Sequence, residues 1–409
     1  MTQPLEVENA AAVPFPAPRG SCPFAPAPAY ESARDELPLT KVTLYDGRRA
    51  WLVTRHKDAR DVLSDPRFSA DPHRAGFPMV SPKQKWILTG EPSFLRMDAP
   101  EHTRQRKALM SWFTHRRIET LRPKVQEFVD ARIDAMTAGG STGAELMSAF
   151  ALPVPSQVIS LILGVPYEDH EFFERTSQNL LRWDTTADAI AEAWQELLEY
   201  LRELAITKTE EPDGGILSHL VAEDSDLTLT QIASMARTVL AAGHDTTAES
   251  IGLSVVALLR EPEKLAVLRG RPELYPGAIE ELLRYLTPLG HHGIPRVATD
   301  DVVIDGVTVR AGEGVLCMLH VADRDGRVYE NAGDLDVEGS GAHHLAFGHG
   351  IHLCLGAALA RLELRIALET LFRRLPGLRL AVPFEELAFR ALAPVHGLNE
   401  LPVVWGEAA

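Results

Sequence analysis

The sequence predicts a mainly α-helical protein with a minor β part. Apolar residues recur with helical period over 102–114, 117–137, 187–205, 228–260, 274–286 and 355–374. Only two short hairpins interrupt that pattern. No internal repeat and no Gly/Ser linker divides the 409 residues, although the length alone suggests two or three domains.

The elements follow in chain order. Residues 1–28 are rich in Ala and Pro, as in Phe15-Pro16-Ala17-Pro18, and are expected to be a mobile or surface-draped extension. Val42 to Leu44 alternates, Asp46-Gly47 turns the chain, and Trp51-Leu52-Val53 returns. Val302 to Ile304, Asp305-Gly306 and Val307 to Val309 repeat that logic, because Asp-Gly favours the positive φ of a tight hairpin. Thr228-Leu229-Thr230-Gln231 has the capping-box pattern at the start of the longest helix. Pro376-Gly377 closes the last helix.

Composition excludes several classes. Lys and Arg total 41 against 57 Asp and Glu, a formal net charge of -16, which argues against nucleic acid as a partner. Three cysteines, Cys22, Cys317 and Cys354, are too few and scattered for a disulfide framework or a cysteine-rich zinc site. No stretch reaches the roughly 18 consecutive apolar residues of a spanning helix, so no membrane is expected. Met1 to Pro28 lacks the positive start and apolar middle of a signal peptide. A cytoplasmic, soluble protein is the expectation.

Three stretches are unusual for a plain core. Phe347-Gly348-His349-Gly350-Ile351-His352-Leu353-Cys354-Leu355-Gly356 precedes a strong helix. Its glycines permit a tight loop around a bulky flat object, with Cys354 at a helix N-terminus that favours thiolate. Ala242-Gly243-His244-Asp245-Thr246-Thr247 sits inside the long apolar helix. A carboxylate and hydroxyls there are costly if buried to no purpose, so a locally opened helix for proton traffic is expected. Glu281-Leu282-Leu283-Arg284 puts two opposite charges on one helix face.

Together and in this order, these motifs resemble the cytochrome P450 family of haem-thiolate monooxygenases. The pattern FGxGxHxCxG is complete at Phe347, Gly348, Gly350, His352, Cys354 and Gly356. The oxygen-helix pattern [AG]GxDT matches at Ala242, Gly243, Asp245 and Thr246, and ExxR matches at Glu281 and Arg284. The likeness runs from about Cys22 to Trp405. It implies the cytochrome P450 fold, with one haem domain over 29–409 and the long helix above the haem. Within the family the chain is most similar to soluble actinobacterial enzymes, through Ser21-Cys22-Pro23, 151–156 and 398–402.

The resemblance implies haem b (iron protoporphyrin IX) with Cys354 as axial iron ligand, and Phe347, Gly348 and Gly356 shaping its loop. His102 and Arg106, one turn apart, together with His352 and Arg296, are implied haem contacts. Asp245 and Thr246 are implied to deliver protons. The implied reaction inserts one atom of O2 into a small-molecule organic substrate, with electrons from ferredoxin and ferredoxin reductase. Arg104, Lys107, Arg116, Arg117, Arg361 and Arg365 are the candidate docking cations. Pocket walls are implied around 71–96, 165–200, 287–295 and 391–396. His291-His292 lies in the third of these, either facing the cavity or facing solvent on a loop.

Two departures from the family pattern stand out. Asp323-Arg324-Asp325-Gly326 replaces Asn-Arg-Asp-Pro, and Asp336-Val337-Glu338-Gly339 lacks the Arg that often supports the ExxR pair. One of His343 or His344 is the expected substitute. A rival reading, a zinc protein built on His343, His344, His349, His352 and Cys354, lacks HExxH spacing and a second nearby cysteine. A peroxide-driven haem enzyme is a further rival, disfavoured by the intact Asp245 and Thr246.

Overall fold

The computed structural model describes residues 13–88, 91–169, 171–172, 176, 185–222, 226–289, 291–390 and 393–406. Its α-helices are α1 (Pro28–Glu36), α2 (His56–Ser64), α3 (Glu101–Met110), α4 (His115–Thr120), α5 (Arg122–Thr137), α6 (Pro153–Leu163) and α7 (Ala187–Glu210). There follow α8 (Ile216–Ala222), α9 (Leu229–Arg260), α10 (Pro262–Gly270), α11 (Tyr275–Leu286), α12 (Leu319–Ala322) and α13 (Ala357–Arg374). None of the described helices is long and apolar enough to cross a membrane.

All six helical stretches expected from periodicity are present. The stretch 117–137 is divided at Leu121, because Pro123 enters the first turn of α5 and cannot donate to the preceding turn. Thr228 and Gln231 form the reciprocal capping box of α9. Helix α6 was not foreseen. It is buried almost all round, so no apolar stripe marks it, and Pro153 and Pro155 near its start read as loop residues.

The main sheet runs β1 (Leu39–Thr43), β2 (Arg49–Val53), β8 (Gly314–Cys317), β5 (Ile294–Ala298) and β3 (Phe68–Ser69), with β2 and β8 parallel. Strands β4 (Gly143–Glu145), β10 (Pro402–Val404) and β9 (Arg379–Leu380) form a second sheet. The hairpin β6 (Val302–Ile304) and β7 (Val307–Val309) closes at Asp305 and Gly306, both at positive φ. The first hairpin is looser: Leu44 still donates to Arg48 O at 2.8 Å, and at its Asp-Gly only Gly47 has positive φ.

Helix α9 is the axis of the molecule. It packs on α6, α7 and α13, and most of its side chains lie in the main core. Of the expected mobile or surface-draped extension, the described part is docked on the body. Ala17, Phe24 and Ala27 are buried, Ala17 N donates to the Tyr30 hydroxyl at 2.7 Å, and Phe24 packs against Tyr285, Phe384 and Phe389. Residues 1–12 lie outside the described residues. Proline content argues against helix, and says nothing about which few apolar side chains find a socket.

Candidate active site

The loop before α13 is built by its own backbone. Gly348 N donates to Leu345 O at 2.7 Å, Cys354 N to Phe347 O at 2.8 Å and Leu353 N to Gly350 O at 3.0 Å. Gly350 has φ +71°, and a Cβ there would overlap the Leu63 carbonyl, so only glycine fits beneath α2. A Cβ at Gly356 would meet no atom of the protein, so packing within the chain does not require that glycine. The room it leaves beside Cys354 suits a flat ring.

Cys354 is exposed, and so is Ala242 in the middle of the otherwise buried α9. The accessible thiol still sits deep among protein atoms. Burial pushes it above the ordinary thiol range, against the Gly356 N–H and the charges of Arg106 and Arg361. Within the chain alone, desolvation outweighs the helix end, and a bound cation would favour the thiolate expected there. Cys317 is an inert core thiol in β8, fully buried and raised to about 12.

Helix α3 and strand β5 bring cations to the edge of this loop. The His102 and His352 rings lie 4.3 Å apart. Arg106 Nη2 donates to Leu353 O at 2.5 Å, and Arg296 Nη1 donates to its neighbour Pro295 O at 2.8 Å. Burial drives His352 down to about 3, helped by Arg296, His102, Arg106 and Arg96. Burial and then Arg106 depress His102, whose two ring nitrogens are both buried without a partner among the described residues. The nearby Asp98 does not neutralise the group, because it is taken by Ser69 and by Ala70 N.

Arg96 joins this cluster, and sequence reasoning missed it. Burial and the neighbouring Arg296 lower it to about 10. It ends a short 3-10 turn, Phe94–Arg96, just before α3, which carries His102 and Arg106. With no periodicity around it, only its place beside those two residues could have pointed to it. Five basic side chains converge with no dedicated carboxylate, both His102 nitrogens lacking a partner among the described residues, and this set fits the two propionates of a haem. Phe347 is half-buried with Arg361 over its ring at 4.5 Å.

On the opposite side, α9 runs unbroken through 242–247, which corrects the expected local opening. Thr246 Oγ1 donates to Ala242 O at 2.5 Å, so the hydroxyl bonds the helix backbone without breaking it. Its oxygen keeps lone pairs that can accept a hydrogen bond from the cavity. Asp245 is buried, 3.8 Å from His244 Nδ1, and its Oδ2 has no partner among the described residues. Burial raises its pKa and so favours the protonated carboxyl, against the charges of His244 and Arg390.

The Glu281–Arg284 pair is fully buried and bidentate, at 2.7 and 2.6 Å. Neither His343 nor His344 replaces the missing arginine. Backbone groups do: Arg284 donates to the carbonyls of Asp323, Ala332 and Asp334 at 2.8–2.9 Å, and Asp336 N donates to Glu281 Oε1 at 2.9 Å. His344 instead lies 3.2 Å from Glu280, which Arg361 also grips at 2.6 and 2.8 Å. Burial would raise Glu280, but those two partners together hold it at about 2. The imidazole of His56 meets the His343 carbonyl at 2.9 Å. The histidines of the zinc reading are thus dispersed among separate partners.

His291 and His292 are both buried, which removes the solvent-facing reading. Burial lowers His291 to about 3, with Arg19 and His292 adding to the fall, and burial lowers His292 to about 4. Both are neutral donors or acceptors near pH 7. Among the implied pocket walls, residues 89–90, 170, 173–175, 177–184, 290 and 391–392 lie outside the described residues. Of the docking cations, Arg104 pairs with Glu101, Arg361 with Glu280 and Arg365 with Glu369, and Arg117 stacks on Trp112. Lys107 and Arg116 are exposed, as are Met110, Ile351 and Leu353.

Comparison with known proteins agrees with this geometry. The family model described as Cytochrome P450 matches residues 273–376. Cytochrome P450-SU2 of Streptomyces griseolus is 53% identical over 396 residues, covering 96% of this chain and 97% of that protein. Vitamin D3 dihydroxylase of the same organism is 46% identical, covering 96% of each. The crystal structure of mycinamicin VIII C21 methyl hydroxylase from Micromonospora griseorubida, bound to mycinamicin VIII, superposes with a TM-score of 0.89 at 40% identity. That match covers 96% of this chain and 99% of the other.

Proposed function

The chain belongs to the cytochrome P450 family, and from that premise we propose which of its residues carry the reaction. The protein is a haem-thiolate monooxygenase, an oxidoreductase that uses O2 to oxidise small organic substrates. When bound, haem b supplies the iron at which O2 is reduced, and the thiolate push of its axial ligand favours O–O cleavage. Cys354 is the residue for that ligand. Arg96, His102, Arg106, Arg296 and His352 hold the propionates, and Phe347, Gly348 and Gly356 give the loop its shape.

Asp245 and Thr246 serve proton delivery. Burial makes the Asp245 carboxyl hold a proton more readily than an ordinary carboxyl, and Thr246 accepts a hydrogen bond on the cavity side. Electrons come from a separate ferredoxin and ferredoxin reductase, docking near the exposed Lys107, Arg116, Met110 and Leu353. Hydroxylation of a secondary metabolite or xenobiotic is the expected outcome, in line with the relatives named as a vitamin D3 dihydroxylase and a mycinamicin VIII methyl hydroxylase.

The observation that carries the site assignment is the unpaired cationic cluster beside an accessible cysteine. Cys354→Ala tests it. The ferrous carbonyl complex of the natural protein should show the red-shifted Soret band of thiolate ligation, and the variant should lose it. A band that survives in the variant overturns Cys354 as ligand.

A further inference from the structure

Helix α9 carries a second buried carboxylate that the reading above leaves unused. Glu249 follows Asp245 by four residues, so the two leave the same helix face with about 5–6 Å between their Cβ atoms. Glu249 is fully buried. Its Oε2 accepts a hydrogen bond from Leu398 N at 2.8 Å. A Cβ at Gly397 would overlap its carboxylate, so the group is seated tightly against that turn. Its Oε1 lies 2.8 Å from Arg390 Nη1, an ion pair not aligned as a hydrogen bond.

Two carboxylate oxygens one turn apart, Asp245 Oδ2 and Glu249 Oε1, are thus buried without a hydrogen bond among the described residues. Asp245 Oδ2 is an orphaned acceptor, costly in a core unless a proton visits it, while Glu249 Oε1 has only the unaligned charge of Arg390. The line continues outward. Leu401, three residues beyond Leu398, donates at 2.7 Å to Glu145 Oε1 in β4, and Glu145 is half-buried. Asp245 itself is 1% exposed and cannot load from bulk water.

We propose that Glu249 is the proton donor to Asp245, and that protons reach the site along the line Glu145, Glu249, Asp245. This rests on Asp245 and Thr246 being the proton-delivery pair. In each transfer one proton passes from the Glu249 carboxyl to the Asp245 carboxylate, directly or through one water. The Glu249 carboxylate is reloaded from water at the Glu145 end, and no electron moves. Burial raises Glu249 to about 7, opposed by Arg390 and the Leu398 N–H and helped by Asp245 and Glu145. These, with His244 beside Asp245, are the titratable and charged groups that bear on it. A donor poised there is matched to neutral pH.

The test uses the haem-loaded enzyme with a ferredoxin and reductase. Glu249→Gln keeps the acceptor for Leu398 N and removes the proton. The expected result is unchanged haem content, product per NAD(P)H lower by about tenfold or more, and more peroxide. Infrared titration supplies a readout independent of turnover. A protonated-carboxyl band should vanish near pH 7 in the natural protein, be missing in Glu249→Gln, and move to higher pH in Arg390→Met. Natural coupling and pH profile in Glu249→Gln, with uncoupled Asp245→Asn, overturns this proposal alone. Natural coupling in Asp245→Asn and Thr246→Ala overturns the reading beneath it. Should Glu249→Gln fail to yield holoprotein, an Arg390→Met titration that does not move is equally fatal.

Discussion

The core holds two buried sets of charged groups in opposite states of satisfaction. Around Glu281 and Arg284, nearly every donor and acceptor is used: a bidentate pair, three backbone carbonyls and one backbone N–H. Around His102 and His352, five basic groups converge with no dedicated anion, and both His102 nitrogens lack a partner among the described residues. The first set is complete within the chain and belongs to the fold. The second costs the polypeptide free energy by itself, because like charges are gathered in a poorly solvated place. Such a cluster is sensible only as one half of an interaction with an anionic ligand.

That contrast can be broken by mutation. The largest effect is expected from Arg284→Ala, which strands a buried carboxylate and three carbonyls. A loss of about 3–5 kcal/mol, or failure to accumulate folded protein, should appear in denaturant unfolding. A change under 1 kcal/mol would mean that the pair is not structural. His102→Ala should act unequally on the two forms. The haem-free protein should lose little stability, because both His102 nitrogens already lack a partner among the described residues. Haem loss to a scavenging apoprotein should be about ten- to a hundredfold faster, as for a lost charge-assisted bond. A destabilised haem-free form with unchanged haem loss would make the cluster structural after all.

Acid sharpens the same comparison. His352 and His291 are lowered to about 3 and His292 to about 4 in the folded chain, from an ordinary value of 6.5. Below pH 6.5 the unfolded chain binds protons that the folded chain refuses. Stability contributed by these groups is therefore present above pH 6.5 and falls as pH drops toward 3–4. Propionates would raise His102 and His352 but leave His291 and His292 buried as before. Denaturation midpoints should then fall less steeply with acid in the haem-loaded protein than in the haem-free protein. Parallel slopes would contradict propionate contact. The smallest effect is expected from His344→Ala. Arg361 still grips Glu280 with two bonds, so the midpoint should shift by less than about 1 kcal/mol. A larger loss would give His344 the supporting role that backbone groups fill here.

Much of this was legible in the sequence where the information is local. Turn glycines, the capping box of α9, the second hairpin and the cysteine loop all lie within about ten residues and are fixed by backbone geometry and turn chemistry. Helix α6 escaped for the converse reason, since a helix buried on all sides has no polar face to give it a period. Arg96 escaped because membership in a cluster is set by neighbours far along the chain, including Arg296 on β5.

The sequence by itself therefore determined the helical architecture, the loop that presents Cys354 and the positions of Asp245 and Thr246 on one long helix. Only the tertiary structure decided how the missing meander arginine is replaced. Carbonyls of Asp323, Ala332 and Asp334 fill its place, and a carbonyl has no residue identity that a motif could display. Tertiary structure also decided that burial raises the Cys354 thiol, and that Glu249 meets Arg390 beside Asp245. Those outcomes depend on desolvation and on through-space charge, and both are sums over groups that folding alone brings together.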